Sequence, residues 1–325
     1  MTLSLDLSII DFFQSLPSAM VSGLSWLSIL GYGEAYVLIL VLLIWRNHHQ
    51  QALPLLLLLL FSSALNSLLK LLIAAPRPYW LNPELLLNLP DTAFGMPSGH
   101  ALSATVFWFG LALWIRHWLF WLVAVVLVLL TAISRITLGV HFPSQTLAGI
   151  LLGLICLGLF PQLKSLCQNS TSNHRFLVLL VPITFLLVIA MNYRLINPPP
   201  FLSGTLSLYH QTFIDITHSP WSLKGLMRDC CLLAGLILGY HTLMSTRPNT
   251  TFIISFPYIL LGLGIGLIYW VSSGILIKGL LTEEWPYLLA QSLRGILLGY
   301  GISYWIPSFC IGRANRQLSA RIIDC

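Results

Sequence analysis

Residues 51–74 read QALPLLLLLLFSSALNSLLKLLIA. Leucine dominates the run, and its one ionisable residue, Lys70, stands near the end. A bilayer core about 30 Å thick is crossed by about 20 apolar residues in a helix. A helix also pairs its own backbone N–H and C=O groups, which hydrocarbon cannot do for it. The stretch is therefore a transmembrane helix with a cation close to one membrane face. The whole chain agrees with this reading. Over 325 residues it is 57% apolar and 8% charged, whereas an average soluble domain is about 25% charged and 45–50% apolar. Mean hydropathy is +0.86. These figures exclude a disordered chain, a coiled coil and a disulfide-rich secreted domain. The net charge of +6 comes from sixteen Lys and Arg spread along the chain. That makes no basic stripe of the kind nucleic acid requires, so no nucleic-acid partner is expected. Cys156, Cys167, Cys230, Cys231, Cys310 and Cys325 show neither zinc spacing nor an extracellular framework, and read as reduced small hydrophobes.

Outward from this helix, apolar runs bounded by charge, Pro or Gly place further spans at 32–46, 99–117, 118–138, 144–163, 175–194, 227–245, 251–272 and 287–309. Residues 3–15 read as an amphipathic helix at the interface, and 18–30 as a re-entrant or tilted segment. The expected fold is an all-α polytopic membrane helical bundle of about nine transmembrane helices. Its parts are an N-terminal segment 1–31, a core 32–195, a Pro-rich loop 196–226, and a three-span module with a basic tail, 227–325.

Alternation of the spans then does geometric work. Lys70 and Arg77 leave the second span and His100 opens the third. Arg135 ends the fourth and His141 precedes the fifth. Span parity puts all five on one membrane face. With Lys70, Arg77 and Arg135 set aside, Lys and Arg divide eight to five in favour of the opposite face. Cationic loops stay in the cytoplasm, so the cluster is expected on the extracytoplasmic side.

Three converging cations suit a doubly charged anion: Arg offers a planar fork to phosphate oxygens and Lys a point charge. Ser98, Gly99 and His100 begin a helix, whose free N–H groups favour anions. Ser98 is also a favoured residue for capping that helix. Two histidines can divide nucleophilic attack and leaving-group protonation. No carboxylate cluster of magnesium-binding character accompanies them, so the residues describe metal-independent phosphoryl transfer through a phosphohistidine, with no cofactor. Taken singly, each has an ordinary role: Lys70 a snorkelling lysine, Arg77 a loop cation, Arg135 and His141 interfacial anchors. Together, at this spacing, they do not.

The three pieces are Lys70-x6-Arg77-Pro78, Pro97-Ser98-Gly99-His100 and Ser134-Arg135-x5-His141-x3-Gln145. In order, over about residues 60–155, they resemble the three signature motifs of the type 2 phosphatidic acid phosphatase superfamily. The resemblance implies a six-helix phosphatase core, with His141 as nucleophile and His100 as general acid. It implies that Lys70, Arg77, Ser98, Gly99 and Arg135 hold the phosphoryl group. Most members carry Asp where this chain has Gln145; that Asp orients the nucleophilic histidine and stabilises its charged form. Gln145 can orient it without charge, and the glucose-6-phosphatase branch looks similar here, as it does in Arg77-Pro78-Tyr79-Trp80 and His141-Phe142-Pro143.

The resemblance implies hydrolysis of a phosphomonoester or pyrophosphate, with a lipid phosphate the first expectation and a sugar phosphate the alternative. A lipid phosphotransferase, or a membrane protein that has lost catalysis, are the other classes the residues allow. No partner protein is implied beyond the bilayer. The expected location is a bacterial inner membrane with the site facing the periplasm, or the endoplasmic reticulum with a lumenal site. Outside the cluster, Arg228, Asp229 and Arg294 read as an ion network with Asp215, Glu283 and Glu284, or as groups shaping the substrate entrance. Asn66, one turn before Lys70, reads as a polar packing contact.

Overall fold

The computed structural model describes residues 3–87, 91–168, 223–246, 256–280 and 284–309, together with 188, 220 and 254. Every element among the described residues is helical: α1 (Leu3–Gln14), α2 (Ser18–Leu27), a 3₁₀ turn (Ser28–Gly31), α3 (Gly33–Leu43), a π segment (Ile44–His48), α4 (His49–Ile73) and the short α5 (Pro78–Leu81). A 3₁₀ turn (Pro83–Leu85), α6 (Gly99–Ile115), α7 (Trp118–Thr137), α8 (Pro143–Leu157) and α9 (Phe160–Gln168) follow. The remaining elements are α10 (Lys224–Thr246), α11 (Phe256–Leu280), α12 (Glu284–Tyr300) and a π segment (Gly301–Trp305). Among the described residues four helical runs are long and apolar enough to cross a membrane, or up to six if each bent pair is one span. The chain is thus an integral membrane protein with an all-α fold. The expected sixth span, 175–194, and most of the loop 196–226 lie outside the described residues.

The break between the first and second spans falls where the sequence places it, at Arg46 and Asn47, where Asn47 has φ 71°; Asn tolerates that left-handed conformation better than most residues. Other features differ from the sequence expectation. The fifth span stops at Leu157 and turns by 41° into α9. Helices α1 and α2 meet at 111°. Asp6, expected on the polar face of an interfacial helix, is buried at 5% exposure, because α1 packs on α7 and α8.

The chain divides into two compact units. The first holds the described residues up to Tyr36, those of 62–160, and 188 and 220. In it α6 packs on α7 and α8. Gly149 and Gly153 let α8 come close: a Cβ on Gly149 would stand 2.4 Å from the Ser98 carbonyl, and one on Gly153 2.8 Å from Thr105. Small residues four apart commonly permit such approach in membranes. Two apolar clusters lie at the ends of these helices. Tyr79, Trp80 and Phe94 pack with Ala74, Leu138 and Val140. Ile10, Leu85, Ile136 and Phe142 form the other, with Leu7, Ile9 and Phe13 against it.

The second unit holds the described residues of 37–61, 161–168 and 223–309. Helix α10 packs on α12 and its π continuation, and the Trp45 indole N–H donates to the Ile302 carbonyl at 3.1 Å. Arg228 pairs with Asp229 at 2.8 Å. Arg294 donates to Gln291 and to the Trp270 carbonyl and lies 3.6 Å from the Trp270 ring centroid. Asp215 and Glu283 fall outside the described residues, and so does the side chain of Glu284. Helix α11 leaves Leu260, Ile265, Ile268, Ile275 and Leu276 exposed, an apolar surface suited to lipid.

Candidate active site

Within the first unit the three motifs converge. Arg77 follows α4 and enters α5 through Pro78, which starts a helix without loss because its missing N–H would be unpaired there anyway. Its guanidinium is fully buried. It donates through Nε to the Ala93 carbonyl at 2.6 Å and through Nη1 to Val140 at 2.9 Å. Nη2 makes an ion pair of 2.7 Å with Asp91. Lys70 reaches back from the last turn of α4 to donate to the Phe94 carbonyl at 2.5 Å, and Arg77 Nη2 reaches the same oxygen at 3.4 Å. The segment 91–98 is thus held by two cations, and Tyr79 adds a bond to the Asp91 carbonyl.

The turn after α7 presents His141. Gly139 there has φ +67°, and a Cβ would strike the Leu85 carbonyl, so glycine is required for the bend. His141 is 1% exposed. Its Nε2 lies 3.2 Å from Arg77 Nη1, and its Nδ1 lies 3.2 Å from Gln145 Oε1. Gln145 is in the first turn of α8, and its amide nitrogen donates to the Pro76 carbonyl at 2.7 Å. Its own carbonyl accepts from the Ser98 N–H at 3.0 Å, so the third motif holds the second. Burial, then Arg77, Lys70 and Arg135, push the His141 imidazole well below the usual histidine range. Burial alone would raise the Asp91 carboxyl, but Arg77 and Lys70 outweigh it and hold Asp91 at about 2.

Helix α6 begins at Gly99. The expected capping bond from Ser98 does not form: its side chain makes no cap contact, and its Oγ is buried without a hydrogen-bond partner. The reason is local. The Ser98 carbonyl lies against Gly149, and the Ser98 backbone N–H is taken by Gln145. His100 Nε2 and Arg135 Nε are buried and unpartnered in the same way, while Arg135 Nη1 donates to Ser28 Oγ at 2.7 Å. Asn66 is buried against Gly99, as expected of a packing residue. Lys70, Arg77, Ser98, Gly99, His100, Arg135, His141 and Gln145 are therefore all brought into one cluster. A buried hydroxyl, an imidazole nitrogen and a guanidinium N–H without partners are costly in a protein interior.

Four residues of the cluster escaped sequence reasoning. Asp91 pairs with Arg77; its signal was available, since Glu84 and Asp91 are the two acids between the first and second motifs. Ser28 has no local signal. Asp6 accepts from the Ser144 N–H at 3.1 Å and from its hydroxyl at 2.8 Å. Gln14 donates to the carbonyls of Leu85 and Thr137 at 2.8 and 2.9 Å. Helix α1 thus grips both ends of the turn that carries His141.

Comparison with known proteins meets this geometry at the same residues. The model of the PAP2 superfamily matches 51–169. An undecaprenyl-diphosphatase of Sulfolobus acidocaldarius is 32% identical over 126 residues, 38% of this chain and 61% of that protein. Glucose-6-phosphatase 2 of Homo sapiens is 25% identical over 230 residues, 59% of this chain and 64% of that protein. The chain thus spans under two thirds of the length of either relative. No solved structure gives a significant match. The matched segment contains all three motifs and every residue gathered around His141 except those of the N-terminal helices, and over residues 51–169 the chain is similar to the PAP2 superfamily.

Proposed function

We propose that the protein is a metal-independent membrane phosphatase that hydrolyses a phosphomonoester or pyrophosphate, foremost a lipid phosphate, through a phosphohistidine at the extracytoplasmic face. The observation that carries this is the placement of His141. Gln145 holds its Nδ1 and Arg77 stands at its Nε2, so a phosphoryl group bound by Arg77 meets the nitrogen that attacks. In the first step the Nε2–P bond forms as the bond from phosphorus to the leaving oxygen breaks, and His100 gives that oxygen its proton. In the second step water attacks phosphorus, the N–P bond breaks, and His100 takes the water proton. Lys70, Arg77 and Arg135, with Ser98 and the N–H groups opening α6, stabilise the charge on the transferring group.

A lipid substrate is supported by the likeness to a protein named undecaprenyl-diphosphatase and by a site at a membrane face. The extracytoplasmic side is supported by the excess of Lys and Arg on the opposite face. A sugar phosphate is the second reading, favoured by Gln145 and by the likeness to a glucose-6-phosphatase. The test is phosphate release by wild type and His141→Ala on phosphatidic acid, a polyprenyl diphosphate and glucose 6-phosphate in detergent without added metal. Loss of turnover in His141→Ala, with an acid-labile phosphoenzyme in wild type, is expected. Turnover that survives in His141→Ala removes the mechanism, and the preferred substrate decides between lipid and sugar.

A further inference from the structure

The segment before α3 forms a wall of the site that the family match at 51–169 does not include. Ser28 binds Arg135. A Cβ on Gly31 would stand 2.8 Å from the His100 side chain, so the backbone there lies against the imidazole. Tyr32 follows, its ring 5.1 Å from that of His100 and edge-on at 67°. Unlike most groups of the site it is open: Tyr32 is 48% exposed.

In-line displacement fixes what this wall meets. The leaving oxygen departs from the side of phosphorus opposite His141, and His100 protonates it. The carbon chain attached to that oxygen must therefore pass His100, where Gly31 and Tyr32 stand. Behind Tyr32 the exposed apolar side chains recur at three-residue spacing: Ile29 at 55% and Trp26 at 73% exposure. Trp26 is in the last turn of α2, which passes through helical dihedrals at Leu27 and Ser28 into the 3₁₀ turn holding Ile29, and the Tyr32 N–H bonds back to the Ile29 carbonyl at 3.3 Å; along such a continuous helical path side chains three apart lie near one face. An apolar rail thus runs from the lipid-facing surface to the group that protonates the leaving oxygen.

We propose that Tyr32, continued by Ile29 and Trp26, is the leaving-group subsite and selects a substrate whose alcohol is a long apolar chain. This rests on the phosphatase reading given above. A sugar ring would use Tyr32 alone, whereas Ile29 and the ring of Trp26 add exposed apolar surface beyond it. An isoprenoid or acyl chain lying along it leaves bulk lipid without entering water, and the phosphate head reaches Arg77 and Arg135.

The test compares kcat/KM for a long-chain polyprenyl phosphate and for glycerol 3-phosphate, in wild type, Tyr32→Ala, Tyr32→Phe and Trp26→Ser, with His141→Ala as control. Tyr32→Ala is expected to lower the ratio of the lipid to the soluble value about tenfold, the scale of a lost apolar contact in a specificity subsite. Tyr32→Phe retains the ratio, and Trp26→Ser lowers it less than Tyr32→Ala. A second readout needs no turnover on the lipid: the phosphate-free polyprenyl alcohol inhibits glycerol 3-phosphate hydrolysis in wild type, and more weakly in Tyr32→Ala. Equal falls on both substrates make Tyr32 a structural support and overturn the proposal, as does an unchanged ratio. A ratio that rises places a polar leaving group there and overturns it too. Turnover persisting in His141→Ala instead defeats the underlying phosphatase reading, a result distinct from any of these.

Discussion

Gln145 Oε1 lies 3.2 Å from His141 Nδ1 and also accepts the Phe142 N–H at 3.2 Å, while its amide nitrogen donates to Pro76 at 2.7 Å. The backbone partners fix the orientation of the amide, since Phe142 N–H needs an acceptor and the Pro76 carbonyl a donor. The oxygen therefore faces the histidine, Nδ1 carries the proton, and Nε2 presents its lone pair toward Arg77. In the proposed mechanism a neutral residue takes the orienting role and leaves out the charge.

Replacing Gln145 separates those two contributions. Gln145→Leu leaves two buried N–H groups and the Pro76 carbonyl without partners, at about 1–3 kcal/mol each, and is expected to lower kcat by about 100-fold or more. Gln145→Glu restores an acceptor and adds a charge that favours the imidazolium. The acid limb of kcat/KM then moves to higher pH. A pH–rate series on the three proteins checks both outcomes; an acid limb that does not move in Gln145→Glu shows that residue 145 is not coupled to the nucleophile.

The buried state of His141 has a pH signature of its own. Its folded value lies well below the ordinary one, so its imidazole stays neutral where a free histidine is protonated. The acid limb of kcat/KM that belongs to the enzyme is expected clearly below about pH 6.5. Stability follows the same sign. As pH falls through about 6.5 the unfolded chain binds a proton at this histidine that the folded chain refuses, so stability declines from there downward. Asp91 adds a second, lower step. Its folded value of about 2 lies beneath the unfolded one of about 3.9. Its contribution is present above the unfolded value and is lost as pH falls through the folded one. Thermal unfolding in detergent across pH 2–7 reads both steps: His141→Ala removes the upper and Asp91→Asn the lower. A wild-type acid limb at pH 6.5 contradicts the burial argument.

Orthovanadate adopts the trigonal-bipyramidal geometry of a transferring phosphoryl group and is expected to inhibit competitively. Arg135 Nε is buried without a partner and is expected to gain one when the anion binds. Arg135→Lys keeps a positive charge but loses the fork, and a lost charge-assisted bond of about 1.5–3 kcal/mol weakens vanadate by roughly 10- to 100-fold. Inhibition constants for the two proteins decide it; equal constants place Arg135 outside the anion site.

The sequence told most where apolar length or span parity carried the information. The run at 51–74 is helical because hydrocarbon admits little else, and parity alone put Lys70, Arg77, His100, Arg135 and His141 on one face. It told least where a bond joins residues more than a hundred positions apart. Ser28 to Arg135, Gln14 to Thr137 and Asp6 to Ser144 span 107, 123 and 138 positions, and no local pattern announces them. Ser98 misled for a different reason. Its position before a helix signals a cap, but its hydroxyl makes no cap bond and stays buried and unpaired. The end of the fifth span misled at Leu157 because a break in helix direction leaves hydropathy unchanged.

Those long-range bonds make the last prediction. Helix α1 holds the His141 turn at its start through Gln14 and at its end through Asp6, with Ile10 packed on Ile136 and Phe142 between them. The Asp6 carboxylate also sits at the N-terminus of α8, where negative charge is favoured. Asp6→Ala is expected to cost about 1–2 kcal/mol, the range of a lost N-terminal cap, and to lower the melting temperature in detergent. Asp6→Asn keeps an acceptor for the Ser144 N–H and should lose less. Because both side chains grip one turn, the effects of Asp6→Ala and Gln14→Leu on kcat should not add: once either end is free, releasing the other costs less. KM should change less than kcat, since neither residue lies in the proposed phosphate-binding set. Strictly additive losses in kcat from the double variant would mean that α1 stabilises the bundle without positioning His141.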